Sequence, residues 1–196
     1  MTCILQNMMF IHIPKTGGHS VKAVMEENDG FSLKDVNGFG NGFSYHERSS
    51  WLRDKLGFEE YDRYNKVSLV RNPWERAVGL YFGENRPGGH SVRGFRKWVL
   101  AQSRIRYKSK DKRIDPLTPQ SWMLTPEVIV FDLARIDELY QWMEINLDSI
   151  GPIVSPHVLS GKIVPRLPYR EYYSSRVREM VTVANYQDIK KYGWKF

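Results

Sequence analysis

The stretch FIHIPKTGGHSVKAVM, Phe10 to Met25, changes its hydrophobic period within six residues. Met8 to Ile13 read as a buried strand, whereas Val21, Val24 and Met25 fall on one face of a helix that opens near Ser20. Between them Pro14 ends the strand and Gly17 and Gly18 permit a tight turn. A strand passing through a short turn into a helix is the opening half of a βαβ unit, and it commits the chain to a parallel sheet.

The same switch recurs in KVSLVRNPWERAVGLY. Val67, Leu69 and Val70 form a short buried strand, and Trp74, Ala77, Val78 and Tyr81 then repeat at helical spacing. Asn72 is a good N-cap, Pro73 suits the first helical position, and Glu75 completes a capping box. Arg71 is thereby fixed at the carboxyl end of a strand. Ligands of open parallel sheets bind beyond those ends, so the Pro14–Ser20 turn and Arg71 are the two places to look for chemistry.

The remaining elements follow the same logic. Gly38, Gly40 and Gly42 mark a loop, and a helix around Ser49–Leu56 buries Trp51, Leu52 and Leu56. A helix spans Val92–Ala101, VIVFDL is a buried strand, and IDELYQWMEINL is an amphipathic helix. Ser174 or Ser175 caps a last helix whose inner face carries Val177, Met180, Val181 and Ala184. With no repeat or linker, residues 1–196 read as a single α/β domain with a central parallel sheet.

Twenty-nine Lys+Arg against 22 Asp+Glu give a formal charge of +7, which favours anionic partners without choosing among them. The single cysteine, Cys3, excludes an intramolecular disulfide framework and a cysteine-rich zinc site. No signal-peptide pattern and no apolar run near the ~18 residues of a membrane span are present, so the expectation is a soluble, cytoplasmic protein.

Successive backbone N–H groups through a Gly-Gly turn, backed by a helix dipole, make an anion site. Lys15 adds a point charge, and Thr16, His19 and Ser20 add donors. The order differs from a Walker A loop, in which the glycines come first and Lys-Ser/Thr closes the motif. The alternative for the turn is structural: two glycines for tightness and a solvated lysine.

IPKTGGHS resembles the 5′-phosphosulfate loop of sulfotransferases that use 3′-phosphoadenosine 5′-phosphosulfate (PAPS), and LVRNPWERAVGLY resembles their 3′-phosphate motif. The likeness is to the carbohydrate sulfotransferase branch and its prokaryotic relatives. It continues through YHERSSWLRDKLG, ARIDEL and PYREYYSSRVREMVTVANYQDIKKYGWKF. The basic stretch from Glu84 to Thr118 is not explained by it.

The resemblance implies a P-loop-like three-layer fold and transfer of a sulfuryl group to a hydroxyl, with a carbohydrate as the expected acceptor. It implies that Lys15 contacts the bridging oxygen and 5′-phosphate of the donor, that Thr16, Gly17, Gly18, His19 and Ser20 wrap that phosphate, and that Arg71 binds the 3′-phosphate. Gly79 stands where the family has a serine, so Arg76, Lys162 or Arg166 is a candidate to compensate, and His19 stands where threonine is more frequent. A lysine on the bridging oxygen makes a divalent metal unnecessary, and no carboxylate cluster or histidine spacing suggests one.

The acceptor hydroxyl needs a base, and His46 suits proton removal near neutrality. The other reading of His46 is a polar residue at a helix start. His90 and His157, each in a loop, are further choices, whereas His12 alternates within the first strand and reads as a core residue or one behind the site. Trp74, Tyr81 and Trp98 sit at helical spacing and read as packing. Two other functions stay open on residues alone: a P-loop-like nucleotide kinase or ATPase, and a basic nucleic-acid-binding protein using SRIRYKSKDKR.

Overall fold

The computed structural model of the chain describes residues 2–33, 46–83, 91–106, 117–148, 150–153 and 167–196. They divide between two compact units, one drawn from Met1–Arg71 and Ser121–Ser160, the other from Asn72–Gln120 and Gly161–Phe196.

The first unit is built on a five-stranded sheet. β1 (Cys3–Leu5) and β2 (Met8–Phe10) form an antiparallel hairpin across Gln6 and Asn7, and β3 (Phe31–Ser32) pairs antiparallel with β1. β4 (Asn65–Val70) pairs parallel with β2, and β5 (Ile129–Asp132) parallel with β4, giving the order β3-β1-β2-β4-β5. The expected α/β architecture is therefore present, with a parallel β2-β4-β5 half and an antiparallel extension.

Alternation along the strands divides the core in two. Cys3, Leu5, Met8, Phe10, Val67 and Leu69 pack on one face against Val21, Val24 and Met25 of α1 (Gly18–Glu27) and Leu139, Tyr140 and Met143 of α6 (Ile136–Asn146). Ile4, Met9 and Ile11 face the other way, toward Leu52 of α2 (Ser49–Leu56) and Tyr61 of α3 (Phe58–Asp62). Helix, sheet and helix make three layers, and each fully buried aliphatic side chain contributes about 1.5–3 kcal/mol.

Several sequence expectations shift. The strand expected over Met8–Ile13 ends at Phe10: Ile11 still donates its amide to the Val67 carbonyl (2.8 Å), but its own carbonyl accepts from the Ser68 hydroxyl (2.7 Å). The helix expected near Ser20 begins at Gly18. Around α2 the bounds match, but Trp51 and Leu56 are only partly buried. VIVFDL is an edge strand rather than a buried one: Ile129 is 40% exposed, and Val128 just before it is the buried residue.

The second unit is helical: α4 (Pro73–Gly83), α5 (Val92–Arg106), α7 (Ser175–Ala184) and α8 (Tyr186–Tyr192), with a 3₁₀ turn at Tyr169–Tyr172. Its core is aromatic, with Tyr81, Phe95 and Trp98 in contact, as expected for packing residues. Arg96 ties the 3₁₀ turn to α5 by donating to the carbonyls of Tyr172 (3.0 Å) and Tyr173 (3.1 Å). α5 runs five residues beyond the expected Ala101, and α8 follows the helix expected to be last.

Candidate functional site

The turn after β2 is the most unusual backbone in the first unit. Lys15 adopts φ 64 and Gly17 φ 86, so a lysine holds a left-handed conformation that its Cβ disfavours by roughly 1–2 kcal/mol. Such alternation of left- and right-handed residues curls successive N–H groups into an anion-binding concavity. Gly17 is also the N-cap of α1, which has no side-chain cap and no acidic residue in its first turn. The positive end of the helix is thus not offset by the chain's own cap or first-turn acid.

The glycines are required sterically. A Cβ at Gly17 would run into Leu133 Cδ1, and one at Gly18 would overlap His12 Cδ2 and Nε2. Thr16 is fully buried and its hydroxyl donates to the Ile13 carbonyl (2.8 Å), so that hydroxyl ties the turn to the strand it leaves.

β2 and β4 are parallel neighbours, which brings their carboxyl ends together. Arg71, the residue after β4, donates from Nη1 to the Lys15 carbonyl (3.3 Å). Burial, with the Arg71 charge second, pushes the Lys15 ammonium below its ordinary value. Two cations held together raise each other's energy, and a bound polyanion relieves both.

Three imidazoles share this place. The His12 ring lies 4.7 Å from the His46 ring and 5.8 Å from the His19 ring, centroid to centroid. With Pro14, Lys15, Gly17 and Gly18 they line a cleft of about 110 Å³. Burial pushes His12 well below its usual value, aided by the His46, His19 and Lys15 charges; burial and then Lys15 lower His19, which is more exposed. His46 Nδ1 lies 3.4 Å from the His12 carbonyl, which can only accept, so a hydrogen bond there is donated by Nδ1.

His46 lies in the loop three residues before α2 rather than at the helix start itself. Ser49, the fully buried first residue of α2, accepts bonds from the Thr125 amide (2.6 Å) and the Thr125 hydroxyl (2.8 Å).

Of the residues singled out from the sequence, Lys15, Thr16, Gly17, Gly18, His19, Ser20, His46 and Arg71 belong to the first unit, and the β2 end brings together Lys15, the glycines, His19, His46 and Arg71. Gly79 lies on α4 in the second unit, as does Arg76, which is 1% exposed and donates to the Thr118 carbonyl (3.1 Å). Lys162, Arg166, His90 and His157 lie outside the described residues, as does the Gly38–Gly42 loop. His12 is the cleft residue that the sequence placed behind the site. Residues 12, 19 and 46 share no spacing that could have revealed the cluster.

Among the described residues, no group of three or more His, Cys, Asp or Glu is arranged to hold a metal ion, and no helix is long and apolar enough to cross a membrane.

No curated protein matches the chain, and no solved structure matches it. A family profile does: that of Sulfotransfer_2, described as the sulfotransferase family, over residues 2–154. The matched run takes in the Lys15 turn, all three imidazoles and Arg71, and extends over well over half of the 196 residues. The chain therefore belongs to the sulfotransferase family, whose reaction is sulfuryl transfer.

Proposed function

We propose that the chain transfers the sulfuryl group of PAPS to a hydroxyl of a carbohydrate, without a metal. The observation that carries this reading is the Lys15–Arg71 contact, which sets two cations at adjacent strand ends beside an uncapped helix N-terminus. A donor with phosphates at both its 5′ and 3′ positions uses both cations, whereas a single phosphate uses one. The carbohydrate acceptor is supported by the resemblance of LVRNPWERAVGLY to the carbohydrate branch, and the +7 charge suits an acidic polysaccharide.

In this mechanism the acceptor oxygen attacks sulfur in line with the bridging oxygen. The new O–S bond forms as the bridging S–O bond breaks, and its electron pair passes to the 5′-phosphate of 3′,5′-adenosine bisphosphate. Lys15 meets the charge that develops on that oxygen, and the loop N–H groups hold the phosphate still. His46 Nε2 takes the acceptor proton, its tautomer suited to the task by the His12 carbonyl. Arg71 holds the 3′-phosphate.

Thermal-shift titration with 3′,5′-adenosine bisphosphate, ATP–Mg²⁺ and AMP tests the donor without needing an acceptor. At a hundredfold excess over Kd, the bisphosphate should raise Tm by about 5–10 °C. A larger shift with ATP–Mg²⁺ would turn the assignment toward a kinase or ATPase.

A further inference from the structure

We infer that His12 is a positioning residue whose ring seats the catalytic base His46 and the donor loop on one support. This rests on the reading of His46 as the base. His12 lies on the extended segment just beyond β2 and is only 5% exposed. One edge of its ring, Cδ2 and Nε2, fills the space that any Cβ at Gly18 would need, at the first residue of α1. The His46 ring rests against the same imidazole, tilted by 60° at 4.7 Å. Behind it, Phe10 stacks at 6.2 Å and 23°, so the imidazole is supported from the sheet.

The two contacts of His12 with His46 divide the work. The carbonyl that faces His46 Nδ1 is backbone, and any residue at position 12 supplies it. What the side chain adds is the surface that keeps the His46 ring within reach of that carbonyl. The His12 ring is also surrounded by Lys15, His19 and His46, which oppose its protonation, so it serves as a flat neutral platform rather than as a charge. A platform touching both Gly18 and His46 links the geometry of the phosphate loop to the orientation of the base.

Long-range ¹H–¹⁵N spectra of the imidazoles, recorded on the full chain, report which nitrogen of His46 carries the proton. In the unmodified protein His46 should show the Nδ1–H form. His12→Ala should shift it toward the Nε2–H form that predominates in free histidine, while His12→Phe, a flat ring of similar extent, should retain Nδ1–H. Spectral dispersion checks folding, and His12→Asn takes the place of His12→Ala if the alanine variant does not fold. A His46 already in the Nε2–H form, or one unchanged by loss of the ring, overturns the inference.

A size swap tests the shared support. Gly18→Ala alone should weaken 3′,5′-adenosine bisphosphate binding at least tenfold, measured by calorimetry. His12→Ala with Gly18→Ala should recover most of that affinity without restoring the Nδ1–H form. An equal loss from Gly18→Ala in both backgrounds overturns the shared support. If the unmodified protein fails to bind the bisphosphate, the donor assignment falls, while the His46 tautomer still decides the role of His12.

Discussion

α1 and α4 each follow a strand of the parallel β2–β4 pair, and they begin differently. α4 is closed by its own sequence: Asn72 Oδ1 accepts from the amides of Trp74 (3.0 Å) and Glu75 (3.4 Å), Pro73 fills the first position, and Glu75 places a negative charge in the first turn. α1 is left open, with a left-handed glycine as N-cap, no side-chain cap, no acid in the first turn and a strained lysine two residues earlier. Capping is worth about 0.5–2 kcal/mol, and of these two helices α4 has it and α1 does not. On the proposed reading, the phosphate loop gives up local stability at α1 that α4 keeps.

The sharpest way to break this contrast is Lys15→Gly. It relieves the left-handed strain and should raise stability by about 1 kcal/mol, while sulfuryl transfer falls on the order of 10²–10³-fold. Chemical denaturation and a transfer assay, read on the same sample, check both signs; retained activity removes Lys15 from the reaction. His19→Glu closes the open helix by giving it the first-turn acid that α4 already has. It should stabilise by about 0.3–1 kcal/mol and weaken 3′,5′-adenosine bisphosphate binding on the order of tenfold or more, measured by calorimetry.

Asn72→Ala opens the closed helix. Urea unfolding should show a loss of about 1 kcal/mol without any gain in affinity for inorganic sulfate, because removing a cap does not build an anion site. The smallest effect concerns His12. Its folded pKa lies well below the ordinary 6.5, so the unfolded chain binds the proton first and stability declines as pH falls through 6.5. His12→Phe removes that term, and the drop in stability between pH 7 and pH 6 should shrink by about 0.7 kcal/mol. An unchanged drop would mean that His12 titrates normally.

The open and closed turns were both legible in the sequence, because each sits where a period of 2 gives way to a period of 3.6, and such a switch has few structural solutions. Asn72-Pro73 could be read residue by residue, since capping is local chemistry. Lys15 and Arg71 could be placed at strand ends, although their contact depends on β2 and β4 being parallel neighbours. Burial on a sheet edge was not legible: VIVFDL has the composition of an interior strand, and only the strand order leaves Ile129 exposed. β1 was missed because three residues carry too little period to register, and α8 because Asn185 both ends α7 and starts the next helix. The imidazole cluster was hidden for a deeper reason, as it is assembled from a strand exit, a helix start and a loop with no common spacing.

The strand order also sets the sequence in which the site can come into being. β1 and β2 meet across two residues, Leu5 against Met8, and such a hairpin forms within microseconds. β2 must wait for β4 across the much longer interval from Phe10 to Val67, and β4 for β5 from Val70 to Asp132, each closure opposed by loop entropy. Pulsed hydrogen exchange should therefore protect the amides of Cys3–Phe10 before those of Val67–Val70. A nascent chain would carry its lysine turn early, and Arg71 would reach the Lys15 carbonyl only once β4 has joined β2, so this contact forms long after the turn it touches.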